Sequence, residues 1–61
     1  MKTIEFETPN GTWIFASTID DWENFEEISI ASPEDDSYTL TSWEKLSLIE
    51  QKDLEKAIKN N

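Results

Sequence analysis

Two alternating apolar runs, Ile4-Glu5-Phe6-Glu7-Thr8 and Thr12-Trp13-Ile14-Phe15-Ala16, flank Pro9-Asn10-Gly11. Alternation on both sides of a turn cluster predicts a β-hairpin. Pro9 presets the backbone angle of the first central position of a type I turn. Asn10 suits the second, and Gly11 accepts the left-handed conformation that follows. The result is a three-residue loop with a glycine bulge that pairs Thr8 with Thr12. Phe6 then faces Ile14 and Ile4 faces Ala16 on one side of the sheet. Glu7–Trp13 and Glu5–Phe15 fall on the other. A two-residue Asn-Gly loop is the rival register. It would pair Phe6 with Phe15 and turn Trp13 toward the face of Ile4 and Phe6. It ranks second, because Pro9 would sit where a backbone donor is wanted. In the preferred register two aromatics lie among glutamates, either covered by another element or available to a partner.

Beyond the hairpin the alternation stops. Thr18 followed by Asp21 suits the cap of a short helical turn with Ile19, Trp22 and Phe25 at spacings of three, which would let Trp22 and Phe25 reach the sheet while Asp20, Asp21 and Glu23 point outward. An irregular connection with the same inward residues is the alternative. Glu27-Ile28-Ser29-Ile30-Ala31-Ser32 alternates again and predicts a third strand. Pro33-Glu34-Asp35-Asp36 is turn chemistry. Ser37-Tyr38-Thr39-Leu40-Thr41 predicts a fourth strand with Tyr38 and Leu40 on one face. A helix follows, and two starts compete for it. A capping box of Thr41 with Glu44 would begin it near Ser42. A box of Ser47 with Glu50 would begin it later and bury Leu54, Ala57 and Ile58. Either helix ends near Lys59, where lysines suit the negative end of the helix dipole, and Asn60 and Asn61 are expected to fray. The expected architecture is a small α+β domain spanning residues 1–61: a four-stranded antiparallel sheet of two hairpins, with one C-terminal helix packed across it.

Composition narrows the function. A chain of 61 residues makes one small domain, and its core must be rich to hold it folded. Cysteine and histidine are absent, as is arginine, so thiolate metal sites and the commonest acid–base and anion-clamping side chains are missing. The sequence carries no span-length apolar run and no signal-peptide pattern, so a cytoplasmic location is the default expectation. Asp20-Asp21-x-Glu23 and Glu34-Asp35-Asp36 lack the ligand spacing and central glycine of a calcium loop. The chain is therefore expected to be neither an enzyme nor a holder of a metal or cofactor. Direct binding to nucleic acid is disfavoured, because phosphate contacts need basic side chains.

Charge changes the picture most. Fourteen acids face five lysines, for a formal net charge of −9. Between Thr3 and Glu44 lie eleven acids and no basic residue; from Lys45 onward four lysines meet three acids. So the sheet and its connections carry the negative charge. A solvated, solubilising surface accounts for this in part. The sharper expectation is a docking surface for a basic partner, since uncompensated charge repels itself and a basic target relieves that repulsion.

The residues expected to form that surface are Asp20, Asp21, Glu23, Glu26, Glu27, Glu34, Asp35 and Asp36, with Trp22 as an apolar anchor. Very small, acidic, cysteine-free domains of this kind resemble, in type, the antagonists that phages and mobile elements direct against nucleases, CRISPR effectors or polymerases. The resemblance is one of composition and implies nucleic-acid mimicry. The alternative is a general interaction module, such as an accessory subunit or an antitoxin-like partner. It would dock by a sheet edge, a helix face or an exposed aromatic such as Trp13, and a homodimer is compatible with it.

Overall fold

A computed structural model describes residues 1–60. The strands are β1 (Lys2–Glu7), β2 (Trp13–Thr18), β3 (Glu27–Ala31) and β4 (Thr39–Thr41); a 3₁₀ turn (Trp43–Lys45) and a helix, α1 (Leu48–Asn60), follow. The strands form one antiparallel sheet in the order β1-β2-β3-β4, and α1 packs on one face of it, in contact with β1.

The first hairpin takes the three-residue loop. The Thr8 N–H donates to the Thr12 carbonyl at 2.8 Å, the Gly11 N–H donates to the Thr8 carbonyl at 2.9 Å, and Gly11 sits at φ +88°. Phe6 pairs with Ile14, Ile4 with Ala16, Glu7 with Trp13 and Glu5 with Phe15. Pairing across the sheet then fixes its two faces, because directly opposed residues share a side. Ile4–Ala16–Ile28–Thr41 and Phe6–Ile14–Ile30–Thr39 form the covered face. Ile4, Ile14, Ala16 and Ile28 join Leu46 and Leu54 in the buried cluster, with Phe6, Phe25, Trp43, Ala57 and Ile58 around it. Ile14 and Leu54 are fully buried, each stabilising the fold by about 1.5–3 kcal/mol.

The later of the two helix starts is used. The Ser47 N–H donates to Glu50 Oε1 at 2.9 Å and the Glu50 N–H donates to Ser47 Oγ at 3.2 Å, which completes the reciprocal box. The Thr41–Glu44 start fails because Leu46 is extended (φ −72°, ψ 145°) and separates the 3₁₀ turn from α1. Leu46 is thereby turned into the core, and the Gln51 side chain donates to the Trp43 carbonyl at 2.8 Å, tying the two pieces together. Asn60 belongs to α1; the expected fraying of Asn61 lies outside the described residues.

Two expectations need correction. No helical turn forms between Thr18 and Phe25; the connection is the irregular alternative, with Trp22 and Phe25 packed against the core and Ile19 73% exposed. The reason is local: Thr18 bonds to Asp20 and Asn24 rather than capping a turn toward Asp21. The fourth strand is also shorter than expected, beginning at Thr39. Its Tyr38 and Leu40 do share a side, but it is the side that α1 leaves open, so Leu40 is 71% exposed.

Candidate protein-binding surface

The acids expected to form one docking surface divide into three groups. The first is engaged in holding the chain together. Asp20 Oδ1 accepts from the backbone N–H groups of Glu23 (3.1 Å) and Asn24 (3.2 Å), and its Oδ2 accepts from the Asn24 amide at 3.3 Å. The Thr18 hydroxyl shares its proton between Asp20 Oδ1 (2.7 Å) and the Asn24 carbonyl (2.6 Å). These donors, the Thr18 hydroxyl and the Asn24 N–H foremost, hold the Asp20 carboxyl below its ordinary value of 3.8. Asp20 is thus the organiser of the β2–β3 connection. Asp21 pairs with Lys2, the sole ion pair among the described residues.

Trp22 stands between groups. It adopts a left-handed conformation (φ +69°), uncommon for so bulky a side chain, and this turns its indole back over the core. There it tilts against Phe25 (centroids 5.9 Å apart), which in turn stacks on Trp43 (5.6 Å, 13° between planes). Trp22 is half-buried at the end of an aromatic stack, so it offers a partner less than an exposed anchor would.

The second group is Glu23, Glu26 and Glu27, which meet Glu44 around an open concavity of about 540 Å³ that Phe25 and Trp43 also line. The third is Asp35 and Asp36 in the β3–β4 connection. They meet Glu5, Glu7, Trp13 and Tyr38 around a second concavity, of about 470 Å³, on the open face of the sheet. Glu34 is exposed beside them and lines neither hollow. Among the described residues no group of carboxylates is arranged to hold a metal ion, and no helix is long and apolar enough to cross a membrane.

The open sheet face contributes residues the acidic segments did not point to. Glu5–Phe15–Ser29–Leu40 and Glu7–Trp13–Ala31 run across it, with Thr3–Ser17–Glu27 at one end. Ser17, Ser29 and Ala31 are buried although no element covers them, so the larger side chains around them shield that backbone. Trp13 is 42% and Tyr38 41% exposed. Tyr38 meets Phe15 edge-on at 6.4 Å, and its hydroxyl donates to Glu5 Oε2 at 2.6 Å. Burial of the hydroxyl, followed by the hydrogen bond to Glu5 and its negative charge, pushes the phenol up to about 12. The signal for this face was the hairpin register, which sets Trp13 and Phe15 opposite Glu7 and Glu5. Tyr38 was less legible, because its reach to Glu5 spans 33 positions of the chain.

Comparison of the chain with protein-family models, curated proteins and solved structures found no match.

Proposed function

We propose that this chain is a non-enzymatic binding protein that sets its acidic surface against the basic, nucleic-acid-binding surface of a partner protein and thereby blocks it. A nuclease, a CRISPR effector or a polymerase offers a surface of that kind. One observation carries the reading: Lys2–Asp21 is the sole ion pair among the described residues, while eleven acids lie between Thr3 and Glu44. Charge of one sign left without internal partners repels itself, and a surface of lysines and arginines relieves that repulsion while steering encounter. The same partner side chains ordinarily contact phosphates, so protein and nucleic acid would compete for them.

Affinity capture from a cell lysate identifies the partner, and competition binding with labelled protein then tests the mechanism. Binding should weaken steeply with salt, since exposed charge attraction is screened over about 10 Å at 0.1 M. Duplex DNA or RNA should displace the protein. Unchanged affinity at high salt, with no displacement by either nucleic acid, would sink mimicry and favour a general interaction module.

A further inference from the structure

We propose that the open face of the sheet is a receptor for arginine side chains on an extended segment of a basic protein, with Trp13 as the stacking platform and Glu5, Glu7, Asp35 and Asp36 as the carboxylate rim. The proposal rests on the reading above that the partner is a basic protein, and it assigns the contact to a particular face and a particular side chain.

The face is uncovered, because α1 lies on the other side of the sheet. It exposes Trp13, Tyr38 and Leu40 on one side of the sheet, and Trp13 and Tyr38 line the same hollow. The rim carries no lysine: Glu5 and Glu7 flank the aromatics from β1, and Asp35 and Asp36 close the hollow from the β3–β4 connection. An aromatic ring surrounded by carboxylates suits a cation that is also flat. Guanidinium stacks on an indole face and pairs with carboxylates through parallel N–H bonds, whereas the compact, strongly hydrated ammonium of lysine does only part of this.

The hollow is also partly pre-built. Phe15 holds the Tyr38 ring edge-on, and the Tyr38 hydroxyl fixes one oxygen of Glu5 while leaving the rest of that carboxylate to a ligand. Holding groups in place before binding lowers the ordering cost of association.

Charge selects among the other occupants. A second copy of this chain would bring a formal −9 against −9, and nucleic acid or an anionic membrane would be repelled likewise. An extended basic segment is attracted by the rim and matches the sheet's alternation, with every second side chain reaching the face.

The test uses two capped peptides, one alternating arginine with threonine and the other lysine with threonine, titrated into the full chain by calorimetry at low salt. The arginine peptide should bind more tightly than the lysine peptide. Trp13→Ala should weaken arginine-peptide binding about tenfold. Tyr38→Phe, which keeps the ring but releases Glu5, should weaken it less, and provides a second reading if Trp13→Ala does not fold. A triple variant of the other hollow (Glu23→Gln, Glu26→Gln, Glu44→Gln), compared with the parent at about 0.15 M salt as well, should weaken binding less than Trp13→Ala does, because at that ionic strength charges more than about 8 Å away are largely screened.

Parent-like binding by both the Trp13 and Tyr38 variants overturns the assignment to this face. If the triple variant alone loses binding, the basic-partner reading stands and the contact belongs to the other hollow. Binding of neither peptide overturns both.

Discussion

Tyr38 is the single tyrosine of the chain; it meets Phe15 edge-on and its hydroxyl donates to Glu5. Burial and the Glu5 carboxylate disfavour the phenolate, so in the folded protein the phenol titrates near 12 rather than 10.0. For an acid whose folded value is raised, the associated stability is fully present below the unfolded value and is lost as pH rises through the folded one. Ultraviolet titration should therefore show tyrosinate forming near pH 12, and Glu5→Gln should bring the midpoint back toward 10.0. A parent midpoint at the ordinary value would mean that the Tyr38–Glu5 bond does not form in solution. Asp20 shows the other side of residue-scale legibility. It was read as part of a docking surface because it lies in an acidic run, yet its oxygens are occupied by Thr18, Glu23 and Asn24. Thr18 with Asp21 and Thr18 with Asp20 are both plausible local pairings. Choosing between them depends on the left-handed turn at Trp22, which no residue-type preference announces for a tryptophan.

At the scale of elements, what could be read from the sequence was whatever short-range chemistry decides. Pro9-Asn10-Gly11 fixes the loop length, loop length fixes the register, and the register fixes which face each of the twelve positions of β1 and β2 occupies, Lys2–Thr18 through Glu7–Trp13 included. The start of α1 was only half legible: the Thr41–Glu44 and Ser47–Glu50 boxes competed in the sequence, and the extended Leu46 decides for the second. What could not be read was which face of β4 the helix would leave open, because that depends on how α1 crosses the sheet. Helix docking itself rests on few side chains: Leu54 is the one buried residue of α1 and is fully buried. Leu54→Ala should destabilise the protein by about 2–5 kcal/mol in urea unfolding, the range for emptying a packed leucine site. A loss below about 1 kcal/mol would mean that α1 is not held against the sheet by that residue.

For the whole molecule, the asymmetry of charge and the asymmetry of cover coincide. The helix, which carries lysines among its acids, shields one face; the other face and both long connections remain negative. With one ion pair among the described residues to lose and much self-repulsion to relieve, the protein should melt at a higher temperature in about 0.5 M sodium chloride than at low salt. A lower melting temperature in salt would show that attractive pairs outweigh repulsion. The order of the elements adds a temporal consequence. All four strands precede α1, so a chain emerging from the ribosome presents Ile4, Ile14 and Ile28 on a bare sheet before their cover has been made. Unfinished sheets of this kind readily pair edge to edge. Here every such encounter would bring together strands and loops dense in carboxylates, so the charge proposed to meet a basic partner would also disfavour such pairing during synthesis.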